Sequence, residues 1–131
     1  MTRYKITAEM AIEFHDLLGP DLEIQGIRDR GTLDYIVDQI NGEEDVFRRA
    51  AWALYLADRH PFWDGQKRTS FYLADIILRV DGYYIHEEQD KIIFVLTKIA
   101  RYECTGKIGE IEKWLRKKSR RHPKSEQLKL R

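Results

Sequence analysis

Cysteine, proline and long apolar runs are all scarce in this chain of 131 residues. Its single cysteine, Cys104, cannot form an internal disulfide, which agrees with a reducing compartment. No stretch approaches the roughly 20 apolar residues that a membrane span needs. The N-terminus "MTRYKITAEM" also lacks the apolar core and small-residue cleavage site of a secretory signal. We therefore expect a soluble, cytoplasmic protein that does not contact a membrane.

Internal repeats, low-complexity tracts and linkers rich in Pro, Gly or Ser are also absent from the sequence. The length is close to the commonest size of one domain, and the composition, 43% hydrophobic and 34% charged, is that of an ordinary globule. There is little spare length for a second catalytic lobe. We therefore place one domain at residues 1–116 and a basic tail at residues 117–131.

Charge is distributed unevenly, although the formal net charge is only +1. Residues 113–131 hold nine Lys or Arg and one acid, Glu126, so this segment carries +8 and the rest of the chain −7. A basic end can bind nucleic acid or an acidic partner. A solvated helix face that runs into the chain terminus is the more usual explanation, so nucleic-acid binding is kept as an alternative.

Hydrophobic residues recur at helical spacing through most of the chain. The pattern predicts helices over residues 7–18, 32–41, 45–59, 67–80 and 89–103, and a sixth that carries Ile108, Ile111 and Leu115. Thr7 and Thr32 can cap the first two helices, and Pro61 ends the third at His60. The helix over 67–80 is apolar around most of its circumference, which is typical of a central, buried helix.

Two short segments break this helical pattern. Residues 21–31 alternate apolar and polar side chains and then turn at Gly31, which fits a hairpin or extended flap. Residues 83–85, "YYI", are expected to be extended. The sequence therefore predicts an all-α bundle of about six helices with a short β-hairpin flap.

The segment "RHPFWDGQKRTSFYLADIIL", residues 59–78, concentrates polar side chains where the fourth predicted helix begins. The first N–H groups of a helix lack intrahelical acceptors, and the aligned peptides place about +0.5 charge there. Gly65 lets the backbone approach a ligand closely, so the N–H groups of Gly65, Gln66 and Lys67 can form a nest for an anion. Lys67 and Arg68 add full positive charges, and the segment therefore predicts a phosphate site.

Two further side chains bring chemistry to this segment. Asp64 suits Mg²⁺, which usually reaches a protein through one or two carboxylates plus substrate phosphates. His60 suits a general base that removes a proton from an attacking hydroxyl. Taken singly, each residue has a structural explanation as a helix stop, a turn or an exposed first turn. Their conjunction favours phosphoryl or nucleotidyl transfer.

Other polar clusters favour plainer interpretations. His15 and Asp16 could suggest a metal phosphohydrolase, but the further histidines at helical spacing are missing, so we expect a surface pair on the first helix. His86, Glu87 and Glu88 could suggest a metal site, but two adjacent acids rarely point at one ion. We expect those three residues to form a solvated loop before the fifth helix.

The nine residues "HPFWDGQKR", positions 60–68, closely resemble the active-site motif of the Fic/Doc family, HPFx(D/E)GN(G/K)R. "GIRDRGTLD", positions 26–34, resembles the GxRDxGLL segment of the Doc, or death-on-curing, branch. The resemblance covers the chain from about Ile6 to about Trp114. It implies that His60 activates a hydroxyl of a target protein and that Asp64 holds Mg²⁺ on the phosphates of ATP.

The same resemblance implies roles for the neighbouring residues. Residues 65–67 would form the anion nest, Arg68 would contact phosphate, and residues 22–28 would form a flap that aligns the target segment by strand-like pairing. The implied catalytic residues are His60, Asp64, Lys67 and Arg68. The implied nucleotide-binding residues are Gly65, Gln66, Lys67 and Arg68, and the implied metal ligand is Asp64.

Three positions depart from the pattern of the AMP-transferring members. Gln66 replaces asparagine, Lys67 stands in place of a glycine, and Phe71 stands in place of a second arginine. The last two favour the Doc branch, whose members transfer the γ-phosphate of ATP to a threonine of elongation factor Tu and so halt translation. Gln66 keeps the amide but adds a methylene, so its contact to phosphate must shift or pass to the backbone.

The sequence also bears on how the protein is inhibited and on two alternative functions. The inhibitory pattern (S/T)xxxE(G/N) of many Fic proteins is missing from the chain, so the resemblance implies inhibition in trans by an antitoxin that covers the active-site cleft. The first alternative is AMP transfer to a target protein. The second is an inactive Fic-like module that binds RNA or protein through its basic tail.

Overall fold

The computed structural model describes residues 4–18, 26–101 and 108–121. This part consists of six helices and one two-stranded antiparallel sheet, which confirms the predicted all-α architecture. None of its helices is both long and apolar enough to cross a membrane. In chain order the elements are α1 (Ala8–Leu18), α2 (Arg30–Gly42), α3 (Val46–Arg59), α4 (Gln66–Val80), β1 (Tyr83–Ile85), α5 (Gln89–Ala100), α6 (Ile108–Lys118) and β2 (Ser119–Arg121).

Helix α3 is the most enclosed element of the described fold. All its residues from Arg49 to Asp58 are buried except Trp52, and its four buried alanines let neighbouring helices approach closely. Helix α4 packs beside it through Leu73, Ala74, Ile77 and Leu78. Contrary to the expectation of a central α4, its other side is exposed at Lys67, Arg68, Tyr72 and Arg79. The start of α4 therefore stands at the surface on a rigid core.

Most helix ends follow the expected local signals. The Thr7 hydroxyl accepts from the N–H of Met10 at 3.1 Å, which confirms the predicted cap of α1. The carboxylate of Asp45 caps α3 by accepting from two N–H groups. Helix α3 ends at Arg59, and His60 leaves the helical conformation, as Pro61 predicts.

The start of α2 differs from the prediction. Helix α2 begins at Arg30, two residues earlier than expected, and its cap is Asp29 rather than Thr32. The Asp29 carboxylate accepts from the backbone N–H of Thr32 at 3.1 Å and from its hydroxyl at 2.8 Å. Gly31 therefore lies in the first turn of the helix, and the predicted turn at this residue is wrong.

The two-stranded sheet joins β1 to the end of the described chain. Tyr83 pairs with Arg121, Tyr84 with Arg120 and Ile85 with Ser119, which confirms that residues 83–85 are extended. The expected boundary after residue 116 falls inside α6, and residues 117–121 belong to the fold. Residues 122–131 of the predicted tail lie outside the described residues.

The predicted flap is described only in its last part. Residues 21–25 lie outside the described residues, and residues 26–29 lead into α2 without helical structure. Ile27 forms an isolated antiparallel bridge with Phe62 in the loop before α4. The small sheet of the fold is thus formed by β1 and β2, and the described end of the flap contacts the predicted site.

Asp45 provides a test of how α3 is held at its N-terminus. Its carboxylate accepts from the N–H groups of Phe47 at 2.8 Å and Arg48 at 3.1 Å, and it forms an ion pair with Arg116 of α6. Burial raises the pKa of this carboxyl, but the hydrogen bonds from the Arg116 guanidinium and from the two N–H groups outweigh it and hold the pKa below its usual value.

We expect Asp45→Ala to lower the free energy of unfolding by about 1 kcal/mol at pH 7. Because the pKa is lower in the folded state, the carboxylate stabilises the fold fully above about pH 4 and less as pH falls through the folded value. Urea unfolding at pH 7 and pH 3 measures the loss. Asp45→Asn keeps the cap without the charge, and Asp38→Ala on the exposed side of α2 is the control. An equal loss at both pH values contradicts the prediction.

Candidate active site

The loop between α3 and α4, together with the first turn of α4, lines a cleft of about 370 Å³. All six residues that the sequence predicts as site residues line this one cleft. The wall is completed by Trp63 of the same loop and Ala100 at the end of α5. The lining residues are His60, Trp63, Asp64, Gly65, Gln66, Lys67, Arg68 and Ala100.

His60 occupies the left-handed region of the backbone, with φ 51° and ψ 56°. This conformation costs a residue with a side chain roughly 1–2 kcal/mol, and Pro61 disfavours the ordinary helical alternative. The N–H of His60 donates to the carbonyl of Leu56 at 3.2 Å, and its own carbonyl accepts from Nε of Arg28 at 2.7 Å. The bend that starts the loop is therefore held from both sides.

The imidazole of His60 points toward the C-terminal end of α5. Its Nε2 lies 3.1 Å from the carbonyl oxygen of Ala100. A carbonyl oxygen only accepts, so Nε2 carries the proton of the neutral ring and Nδ1 carries the lone pair. The arrangement fixes the tautomer of His60 and identifies Nδ1 as the basic nitrogen.

The described end of the flap is paired with the loop through backbone hydrogen bonds. The carbonyl of Pro61 accepts from the N–H groups of Arg28 at 2.7 Å and Asp29 at 2.9 Å, and Trp63 donates to the carbonyl of Gly26 at 3.2 Å. Arg28 also donates from Nη2 to the carbonyl of Arg59 at 3.2 Å. This guanidinium thus satisfies the last carbonyls of α3, a contact that the sequence pattern did not predict.

Asp64 and Gly65 form the entrance to α4. The carboxylate of Asp64 is exposed, and its Oδ1 accepts from the N–H of Gly65 at 2.8 Å. Gly65 has φ 79° and ψ 16°, a left-handed conformation that glycine adopts at little cost. No side-chain hydrogen bond from the N-cap residue caps α4, and a helix N-terminus favours an anion.

Gln66 has a different contact from the one that the motif resemblance suggests. Its side chain is buried, and its Oε1 accepts from the N–H of Phe62 at 2.8 Å. Phe62 is itself 1% exposed, which agrees with its predicted role in packing. The amide oxygen of Gln66 therefore stabilises the loop from its buried side. A ligand in the cleft would contact the backbone of this residue and not its amide oxygen.

The two cations at the start of α4 are both exposed. Arg68 donates from Nη1 to the carbonyl of Leu18 at 2.7 Å and so contacts the end of α1. Lys67 and Arg68 also border a second groove of about 530 Å³ between α4 and α5. The rest of that groove is mainly apolar and is lined by Phe71, Gln89, Ile92, Ile93 and Leu96.

The predicted surface position of His15 is wrong. It was expected at the surface beside Asp16, but only Asp16 is exposed, and His15 is 1% exposed. Its Nε2 lies 2.6 Å from the carbonyl oxygen of Asp64, and its ring stacks on Phe62 with centroids 4.0 Å apart. A signal was present, because His15 shares the buried face of α1 with Ala8 and Ala11 at helical spacing.

Comparison of the chain with protein-family models finds no match, and comparison with curated proteins finds none either. Membership of the Fic/Doc family therefore stays a prediction that rests on residues 26–34 and 60–68. The geometry of the cleft is independent of that prediction. It brings a histidine, an exposed carboxylate and the start of a helix with two cations to one place.

Gln66 provides a test of how the loop is held. In Gln66→Ala the buried N–H of Phe62 loses its acceptor, so we expect the free energy of unfolding to fall by about 1–3 kcal/mol. Gln66→Asn introduces the residue of the resembled motif, whose side chain is one methylene shorter. Because the shorter amide does not reach the N–H of Phe62 as well, we expect this variant to lose much of the same stability. Urea unfolding is the measurement.

Lys67→Ala is the matched control for Gln66→Ala, because it truncates the adjacent, exposed side chain in the same turn. We expect it to change stability by no more than about 0.5 kcal/mol. If Gln66→Ala costs as little as Lys67→Ala, the contact between Gln66 and Phe62 does not hold the loop.

Proposed function

We propose that the cleft transfers the γ-phosphate of ATP to a hydroxyl group of a target protein, in the manner of the Doc branch. The observation that carries the proposal is the shared cleft of His60, Asp64 and the start of α4. Phosphoryl transfer needs little covalent chemistry from the protein, and it depends on positioning and on stabilisation of phosphate charge. These residues can supply both.

His60 acts as the general base. The oxygen of the target hydroxyl attacks the γ-phosphorus, its proton passes to Nδ1 of His60, and the bond from the γ-phosphorus to the bridging oxygen breaks to release ADP. The contact from Nε2 to the carbonyl of Ala100, at 3.1 Å, supports this role. That carbonyl also stabilises the imidazolium that forms when the proton arrives.

The start of α4 receives the phosphate charge. Its first turn has no side-chain cap and no acidic residue, and it carries Lys67 and Arg68. The backbone N–H groups and the helix dipole favour an anion at this end. We assign the triphosphate to this position.

Asp64 fits a magnesium ion that arrives with the nucleotide. In the described part of the chain, no group of three or more His, Cys, Asp or Glu side chains is placed to hold a metal ion. One exposed carboxylate beside an anion site is the protein contribution that Mg²⁺ on phosphates usually takes. Bound there, Mg²⁺ would offset the negative charge of the phosphates.

The proposed partners are a target protein and an antitoxin. The target is of the elongation factor Tu kind, and the backbone pairing at Ile27 and Phe62 supports a flap that aligns its segment beside the cleft. An acidic, amphipathic antitoxin segment that covers the active-site cleft would extend into the second groove, which shares Lys67 and Arg68 with the cleft. Its apolar side chains would contact Phe71, and its carboxylates would lie near Lys67 and Arg68.

Label transfer from ATP tests the proposed function. We expect the purified protein to transfer label from γ-labelled but not α-labelled ATP to one protein in a bacterial translation extract. His60→Ala removes the base and should lower the rate by about 10²- to 10⁴-fold. His86→Ala is the control, because His86 is an exposed histidine between β1 and α5, outside the cleft.

The alternatives give different results in the same experiment. If the target instead carries label from the α-phosphate, the reaction is AMP transfer and the proposal of phosphate transfer is wrong. If neither label is transferred, and growth arrest on expression survives His60→Ala but is lost on removal of residues 122–131, the protein is a binding module. The truncation leaves β2 intact, because that strand ends at Arg121.

Asp64→Asn tests the proposed magnesium ligand. The change removes the charge with little change in size, and we expect the Mg²⁺ concentration for half-maximal label transfer to rise at least about tenfold, or about 1.4 kcal/mol. Asp81→Asn removes an exposed carboxylate at the opposite end of α4 and is the control. A lower maximal rate with an unchanged Mg²⁺ dependence would show that Asp64 has another role.

A further inference from the structure

His15 occupies a position where an apolar residue would be the simpler choice. It lies on the inward face of α1 with two alanines, and burying an imidazole is unfavourable unless its polar atoms are hydrogen-bonded. Its Nε2 makes such a bond, 2.6 Å long, to the carbonyl of Asp64, which is 49 residues away in sequence. A buried donor aimed at the loop of the cleft requires an explanation beyond packing.

The carbonyl that His15 contacts belongs to the peptide between Asp64 and Gly65. This peptide is trans and planar, so its N–H points away from its carbonyl. That N–H donates to Oδ1 of Asp64 at 2.8 Å. The hydrogen bond from His15 to the carbonyl therefore fixes the plane of the peptide. The plane sets the direction of the Gly65 N–H, and this N–H orients the Asp64 carboxylate.

The peptide needs an external contact to stay in this orientation. Gly65 has φ 79°, and a glycine populates positive and negative φ about equally, so its own conformation does not select one peptide orientation. Rotation of the plane would break the hydrogen bond from the N–H of Gly65 to Oδ1 of Asp64 and release the carboxylate. Stacking of the His15 ring on Phe62, with the planes 6° apart, keeps the imidazole in place for the contact.

We infer that His15 is a positioning residue of this site. Its Nε2–H locks the peptide between Asp64 and Gly65, and through it the Asp64 carboxylate and the N–H of Gly65. The lock is a property of the protein without ligand, and its importance for Mg²⁺ and ATP rests on the proposed function. Groups that orient metal ligands from behind typically change metal affinity by about 10- to 100-fold when they are removed.

Two substitutions separate the donor from the ring. His15→Phe keeps an aromatic ring to stack on Phe62 but has no N–H, whereas His15→Gln keeps an N–H donor without the ring. We expect His15→Phe to weaken binding of Mg²⁺ and ATP about 10- to 100-fold, and His15→Gln to retain most of the affinity. Calorimetric titration on the His60→Ala background measures binding without turnover.

The ligand-free protein gives a readout that needs no activity. Exchange of the Gly65 amide proton with solvent should be slow in the wild type and in His15→Gln, and faster in His15→Phe. Nitrogen NMR of the imidazole should show the proton of His15 on Nε2. His86→Phe, at an exposed histidine outside the cleft, should leave the Gly65 amide unchanged.

Each result decides one of the two proposals. Equal Gly65 exchange in the wild type and His15→Phe overturns the lock, whatever the binding data show. If the wild type does not bind Mg²⁺ and ATP, the proposed function fails, and the lock is judged by Gly65 exchange alone. If His15→Phe does not fold, the ring NMR of the wild type decides, because a proton on Nδ1 in place of Nε2 overturns the inference.

Discussion

Pro61 forces His60 out of helical geometry, and the cleft depends on how this bend is held. The left-handed backbone of His60, φ 51° and ψ 56°, costs roughly 1–2 kcal/mol. Contacts from separate parts of the fold offset this cost. Arg28 binds the carbonyls of Arg59 and His60, and the carbonyl of Ala100 accepts from the imidazole. The fold therefore restrains both the backbone and the ring of His60.

Buried and exposed polar groups around the cleft have different tasks. The buried ones are His15 and Gln66. Their side chains hydrogen-bond to the backbone of the loop, so the bonded atoms point into the protein and not into the cleft. The exposed ones, Asp64, Lys67 and Arg68, line the cleft. A site that must stabilise charge gains from this division, because its groups are held in place before the ligand arrives.

Local signals in the sequence predicted most of the helices and six of the eight residues that line the cleft. A cap at Thr7 or a stop at Pro61 acts over one to four residues, so the pattern of the chain contains it. Contacts between distant segments were missed. The pairing of β1 with β2 and the bond from His15 to Asp64 depend on how α1, α4 and α6 pack, and periodicity does not encode that packing. The surface prediction for His15 is wrong because it follows the polarity of the side chain. The position of His15 on the inward face of α1, with Ala8 and Ala11, indicates burial.

The first turn of α4 carries positive charges at the end of the helix where negative charge is favoured. A helix N-terminus favours negative charge, yet this one carries Lys67 and Arg68, no acid and no side-chain cap. In the absence of an anion, each cation at this end lowers the stability of the helix by a few tenths of a kcal/mol to about 1 kcal/mol. Gln66 cannot relieve this cost, because its amide oxygen is bonded to the N–H of Phe62. The proposed phosphate would place negative charge beside this helix end, so the same residues that destabilise the helix end alone would stabilise it with phosphate bound.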